Sequence, residues 1–308
     1  MGRFLAIRLL QFPLILAIIY LATFMLVWVA PGDPFARTDR KFDPAAMDAL
    51  RERMHAKHWY TFLGYYPTRM LVGDFGPSFS YDLQVSKLIG DALPVSASLG
   101  VFALCIAVIF GTAVGALAAV RRNGPADWLS LTVALIGISV PSFVAASLLF
   151  AMFSMRVHLF AIGRWGSLGD MVLPGVALSL LPTAYITRLT RASMIDVLGS
   201  DYIRTALAKG VSRRSVVWRH ALRNAFLPVF SYLGPAAADT MTGSFVVEKV
   251  FNIPGLGTHF VNSVLNRDQT LILGIVMVYS VLLLSMNLLV DLGYAFVDPR
   301  IDVTAKSA

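Results

Sequence analysis

Residues Val95 to Val120 read VSASLGVFALCIAVIFGTAVGALAAV, a run without one Asp, Glu, Lys or Arg. About 20 predominantly apolar residues suffice for a helix to cross a bilayer, and a helix apolar on every side has no solvent-facing surface. Working outward, five further runs have comparable length: 9–30, 128–155, 171–187, 225–247 and 271–296. Three of these are also free of charge, and Asp239 and Asp291 are the only ionisable acids or bases in the last two. The rest of the 308-residue chain agrees: 57% of residues are hydrophobic and 14% charged, against roughly 45–50% and ~25% in soluble domains, and the mean hydropathy is +0.69. An ordinary water-soluble enzyme is excluded. The expected fold is an all-α polytopic membrane protein with six transmembrane helices. The 171–187 run is the shortest and carries Pro174 and Pro182, so its backbone needs neighbouring helices to satisfy the carbonyls those prolines free.

Loop charges set the expected orientation. With the N-terminus in the cytoplasm, segments 1–8, 121–127, 188–224 and 297–308 hold 14 Lys and Arg, whereas the short outside loops 156–170 and 248–270 hold 4. The positive-inside rule then places both termini in the cytoplasm. The net charge of +8 is accounted for by this asymmetry, without a nucleic-acid partner. The expected division is 1–30 for the N-terminus and first span, 31–94 for an extracytoplasmic segment, 95–296 for a five-helix core, and 297–308 for a tail. Within 31–94, turn signals at Pro31-Gly32-Asp33-Pro34 and Gly73-Asp74-Phe75-Gly76-Pro77 flank an expected amphipathic helix from Pro44 to about His58. Arg3 and Arg8 precede an apolar stretch too long for a signal peptide, and Pro31 follows the small-residue position Ala30, so the first span is read as uncleaved.

Chemistry is sparse. The chain has no G-x-x-x-x-G-K-[ST], H-E-x-x-H or G-x-S-x-G motif, the usual carriers of nucleotide, zinc and serine chemistry. No catalytic residue, cofactor or metal ligand set is expected. His55 and His58 could share a helical face, yet two ligands without a third make no metal site, and the lone Cys105 can form no intrachain disulfide. Gly111-x-x-x-Gly115 with Ala107 and Ala118 forms a small-residue stripe, read as a surface for close helix packing. Gly137 and Pro141 are expected to kink the third span.

The segment 188–224 carries more information. It is far longer than the 2–8 residues that usually join helices. Ser200 or Asp201 can start a helix through Ala208, Gly210 can turn the chain, and Ser212 can cap a second helix to about Asn224. On that second helix Val217, Trp218, Ala221 and Leu222 form one arc, with Arg213, Arg219, His220 and Arg223 largely opposite. Two readings stay open at this level: a basic helix lying on the membrane, or a docking element for a cytoplasmic protein. Because the chain lacks a phosphate loop, any ATP-derived work would have to come from another subunit through such a lever.

Particular stretches resemble one family. The run from Asp201 to Gly210 (DYIRTALAKG), followed eighteen residues later by Pro228, is similar to the EAA loop of ABC importer permeases of the peptide/nickel family. Further likeness lies in Ala30-Pro31-Gly32-Asp33-Pro34, Gly73 to Ser78, Pro141-Ser142-Phe143, Glu248 to Phe251 with Pro254-Gly255-Leu256-Gly257, and Asn266-Arg267-Asp268. Together they resemble the B-type permease of oligopeptide importers along nearly the whole chain. The resemblance implies a permease subunit in a bacterial cytoplasmic membrane, paired with a second permease and two cytoplasmic ATP-binding subunits. It also implies a peptide substrate handed over by an extracytoplasmic binding protein. Ala206 and Gly210 carry over as ATPase-coupling positions by motif, with Arg204, Thr205, Val211 and Ser212 as their neighbours. Arg204 and Thr205 depart from the broad Glu-Ala pattern, so no acidic contact to the ATPase carries over.

The fifth span supplies the expected translocation path. Asp239, Thr240, Thr242 and Ser244 are its polar middle, and a carboxylate at that depth costs about 2.5–3.5 kcal/mol on insertion scales. It faces substrate or water, or it is satisfied within the bundle; the two readings stay open. Asp291 is placed at the membrane interface. The competing functions are a secondary carrier or channel, for which two intramembrane acids are few, and an intramembrane enzyme, for which no nucleophile–base pair is present.

Overall fold

A computed structural model describes residues 2–30, 49, 52–81 and 83–297, and among these the regular structure is entirely helical. The helices are α1 (Gly2–Val29), α2 (Trp59–Met70), α3 (Val85–Val120), α4 (Pro125–Ser139) and α5 (Ser142–Arg156), whose second half Phe150–Arg156 is π-helical. They continue as α6 (Leu168–Leu198), α7 (Asp201–Ala208) and α8 (213–225, with a π-helical stretch Val216–Ala221). The last are α9 (Leu227–Phe251), α10 (Leu256–Leu265) and α11 (Gln269–Val297). Most of the expected helix from Pro44 lies outside the described residues. At its expected end the chain turns instead, with His55 at φ 53°.

Among the described residues four helices are long and apolar enough to cross a membrane: Leu10–Val29, Val85–Val120, Leu168–Leu198 and Gln269–Gly293. The expected third span is a bent pair, α4 and α5 meeting at 101°, and counts as a fifth. The bend lies at Val140-Pro141. Val140 is extended (φ −93°, ψ 116°) because a following proline disfavours helical backbone. Gly137 serves a different purpose, since a Cβ there would come within 3.3 Å of Ala184 Cβ and Leu180 O on α6. Helix α9 has the length of a span, but its Gly, Pro, Ser, Thr and Asp residues keep it out of the apolar set.

The chain divides into two compact units. Of the described residues, one unit comprises those within 2–96 and 254–285, and the other those within 97–253 and 286–297. In the first, Tyr20 and Phe24 of α1 meet Phe62 and Tyr66 of α2 and Leu273 of α11. Asp268, wholly buried, is its polar hub. Its carboxylate caps α11 by accepting from Leu271 N (3.2 Å) and also accepts from Ser78 Oγ (2.5 Å) and Ser80 N (2.9 Å). These three donors satisfy the buried carboxylate, while the single proton of the neighbouring Thr270 hydroxyl goes to Pro77 O at 2.7 Å.

In the second unit α6 is central, packed by α3, α4, α5 and α9. It begins on a capping box, with Asp170 accepting from Ser167 N at 2.9 Å. Pro174 and Pro182 are both buried within it, so their missing hydrogen bonds lie inside protein rather than lipid. The small-residue stripe packs here as expected. A Cβ on Gly115 would lie 2.5 Å from Thr187 O and 2.7 Å from Thr190 Cβ, and one on Gly111 would lie 2.8 Å from Ile186 Cγ2. Close approach of α3 to α6 therefore requires both glycines.

Candidate functional site

Helix α6 continues to Leu198, so the first third of the expected loop 188–224 is the end of a long rigid helix. Only Gly199 and Ser200 separate it from α7. Ser200 is the N-cap residue in extended conformation, but its hydroxyl donates back to Val197 O at 2.6 Å instead of capping α7. Asp201 in the first turn complements the helix dipole.

The turn after α7 closes as a Schellman motif. Gly210 N donates to Leu207 O (3.0 Å) and Val211 N to Ala206 O (3.1 Å), with Gly210 at φ +83°. Ala206 and Val211 are also both packed against the same apolar cluster. Ser212 then starts α8 and accepts from Ser215 N at 3.4 Å. The expected helix–glycine–helix arrangement is present.

What fastens the hairpin is a cluster of Ile203 from α7, Val216, Ala221 and Ala225 from α8, Met194 from α6, and Ala116 and Ala119 from α3. A polar clasp supplements it, Asn224 Nδ2 donating to Tyr202 Oη at 2.8 Å. The apolar arc of α8 differs from expectation. Val216 and Ala221 are buried five residues apart, one π turn, whereas Trp218 is 55% exposed. The wider turn shifts the helical phase and carries Trp218 out of the buried face.

Of the coupling positions, Arg204, Thr205, Gly210 and Ser212 are exposed, while Ala206 and Val211 are half-buried. Arg204 reaches Asp201 at 3.5 Å with both side chains mostly in solvent, a contact of little energetic weight. The exposed surface of the hairpin is therefore largely polar and cationic, with Leu207 and Trp218 also open to it, while Ile203, Ala206, Val211 and Val216 pack toward α6 and α3.

One pair was not legible in the sequence. Arg191 on α6 donates from Nε and Nη2 to Asp127 Oδ1 and Oδ2 at 2.5 and 2.8 Å, and Asn123 N adds a third donor at 2.8 Å. Asp127 is 2% exposed. The two residues are 64 positions apart, and no local periodicity joins them. The pair ties the start of α4 to the last turns of α6, directly before the hairpin.

On α9 the four expected path residues fall on two faces. Thr240 and Ser244 share one and are buried, bonding back to their own helix at Ala237 O (3.0 Å) and Met241 O (2.6 Å). Asp239 and Thr242 are helical and share another face by spacing; their side chains lie outside the description. Glu248, further along α9, is fully buried, and its stretch carried the family resemblance without an assigned role. Among the described residues no group of three His, Cys, Asp or Glu is arranged to hold a metal. His55 instead packs its ring on Tyr65, at 4.3 Å between centroids.

Comparison with known proteins places this architecture. Residues 111–303 match the family described as the inner membrane component of binding-protein-dependent transport systems. The chain is 42% identical to the dipeptide transport system permease protein DppB of Bacillus subtilis (strain 168), over 99% of this chain and 100% of that protein. It is 41% identical to the oligopeptide transport system permease protein OppB of Escherichia coli (strain K12), over 98% and 99%. Among solved structures, an amino acid ABC transporter determined with histidines shares the fold. Its TM-score is 0.53 at 19% identity, over 68% of this chain and 94% of that one. The chain is a membrane transport permease and belongs to the family of inner membrane components of binding-protein-dependent transport systems.

Proposed function

We propose that this chain is one of two permease subunits of an ATP-driven peptide importer, and that the α7–Gly210–α8 hairpin receives work from separate ATP-binding subunits. The observation that carries the coupling role is the hairpin's construction. A Schellman turn and a shared apolar cluster make it rigid, and two residues join it to the long helix α6, so a push on its tip is transmitted as tilt of the helices around α6. Its exposed residues Arg204, Thr205, Gly210 and Ser212 form the contact surface, with Ala206 and Val211 shaping the turn beneath.

Peptide as substrate is supported by the names of the dipeptide and oligopeptide relatives. In this reading six helices span the membrane: α1, α3, the bent pair α4 and α5 as one, α6, α9 and α11. Both ends and the hairpin are cytoplasmic, and 31–94 faces the binding protein that delivers substrate. Asp239, with Thr240, Thr242 and Ser244, belongs to the pathway.

Affinity purification of the tagged chain from native membranes tests the assembly: a second permease and ATP-binding subunits are expected with it. Reconstituted with these and a binding protein, it should accumulate peptide only when ATP is supplied. Uphill movement by the chain alone refutes the reading. Asp239→Asn should change peptide uptake or preference, and unaltered kinetics across the substrate range remove Asp239 from the path.

A further inference from the structure

An apolar groove of about 270 Å³ lies between the last turns of α3 and the first half of α8, in the second compact unit. Its walls are Ala113, Leu117 and Val120 on one side and Val217 and Trp218 on the other. Leu117, Val120 and Trp218 are each about half exposed or more. Arg213 and Arg214 stand at its mouth. A shallow polar cleft formed by Arg214, Ser215 and Arg219 continues from it, sharing Arg214 and Trp218.

No acidic side chain lines either part, and none of the three arginines has an acidic partner among the described residues. Three guanidinium groups beside the hydroxyls of Ser215 and of Ser212, which also lines the cleft, suit a phosphodiester, which accepts hydrogen bonds from both and neutralises the guanidinium charge. The apolar part suits an acyl chain. Trp218 stands where the two meet, the position an amphipathic indole takes at the bilayer surface.

We propose that this groove binds a phospholipid with a net-anionic head group, its acyl chain between α3 and α8 and its phosphate on Arg213, Arg214 and Arg219. The depth of the groove favours lipid over a soluble protein. One wall is the end of the apolar spanning helix α3, immediately before Arg121 and Arg122. A water-soluble subunit would have to enter the hydrocarbon to fill it. Such a lipid would hold α8 against α3, beside the cluster that anchors the hairpin, so the membrane's anionic lipid content would bear on the hairpin's position.

Trp218 supplies the probe. The full chain is reconstituted in nanodiscs of phosphatidylcholine, to which phosphatidylglycerol or phosphatidylcholine brominated on its acyl chains is added. The Trp218 signal is the difference between the wild type and Trp218→Phe. Brominated phosphatidylglycerol is expected to quench that signal at a mole fraction lower than that of brominated phosphatidylcholine by roughly one to two orders of magnitude, three basic side chains acting together. Each basic side chain near an anionic lipid contributes roughly a five-fold preference, so Arg213→Gln, Arg214→Gln and Arg219→Gln should lower it stepwise, and the corresponding Lys variants should retain part of it. Equal quenching by both lipids overturns the proposal, because Trp218 is then an ordinary lipid-exposed residue. Absence of quenching by either lipid overturns it by showing the groove closed by protein. Loss of quenching when ATP-binding subunits are added does so by assigning the surface to them. The wild-type comparison alone decides if a variant fails to fold. None of these readouts depends on transport, so a failure here is separable from a failure of the coupling reading.

Discussion

Arg191 and Asp127 form a two-pronged ion pair, Nε and Nη2 against both carboxylate oxygens at 2.5 and 2.8 Å, at the point where α6 leaves the packed helices and leads into the hairpin. The Asp127 side chain is 3% exposed and that of Arg191 22%. Removing one partner from a buried pair leaves an uncompensated charge, worth about 3–5 kcal/mol, and the partial exposure of Arg191 puts this pair near the lower bound. Arg191→Gln should therefore lower thermal stability in detergent more than the double variant Asp127→Asn/Arg191→Gln, in which no charge is stranded. A double variant whose loss of stability equals the sum of the losses of Arg191→Gln and Asp127→Asn would show that the pair is not coupled.

Gly210 separates conformational strain from steric strain. Its φ is +83°, yet a Cβ there would meet nothing within 4 Å. Substitution therefore costs only the left-handed backbone, of order 1–3 kcal/mol, with Asn the mildest replacement and a β-branched residue the worst. Gly210→Asn, Gly210→Ala and Gly210→Val should reduce ATP-driven uptake in that order while membrane abundance stays near wild type. Wild-type uptake by Gly210→Val would remove the hairpin from the coupling path.

The hairpin was legible because its signals are local. Ser200, Asp201, Gly210 and Ser212 each act on backbone within four residues, so spacing alone located the helices. Trp218 was misplaced for a physical reason, since residues 216–221 wind as a π turn and a 100° periodicity loses phase there. The stripe of Gly111 and Gly115 announced close packing, but nothing local names α6 as the helix it packs on. Asp127 and Arg191 were illegible for the same reason. Spans were clearest where apolarity was unbroken, as in α3. The run with Pro174 and Pro182 was less clear, and so was α9, where apolar residues are mixed with polar ones, of which Thr240 and Ser244 are buried while Pro228, Ser231 and Pro235 are exposed.

The glycine stripe gives a graded prediction. At Gly115 a methyl group would meet the Thr187 carbonyl at 2.5 Å, which cannot yield without parting the helices, whereas at Gly111 it would meet Ile186 Cγ2 and Cβ at 2.8 and 2.9 Å and the Thr183 carbonyl only at 3.0 Å. Overpacking of this kind costs about 1–3 kcal/mol. At Gly90, also on α3, a Cβ meets nothing within 4 Å, and replacing a helical glycine by alanine gains up to about 1 kcal/mol. The melting temperature in detergent should fall most for Gly115→Ala, less for Gly111→Ala, and hold or rise for Gly90→Ala. A reversed order would refute α3–α6 contact as described.

His259 on α10 gives a pH dependence whose sign follows from burial. Its Nδ1 is sealed from solvent without a hydrogen-bond partner, and its ring stands edge-on to Tyr81 at 5.0 Å between centroids. Burial disfavours the imidazolium and holds the folded-state pKa below the ordinary 6.5. The unfolded chain therefore takes up the proton first as pH falls. The contribution of His259 is fully present above 6.5, declines as pH drops toward the folded-state value, and levels off below it. The melting temperature of the wild type, measured against His259→Phe from about pH 8 to about pH 5, should fall relative to the variant on acidification. A difference that stays constant across that range would mean the folded protein accommodates the charged ring.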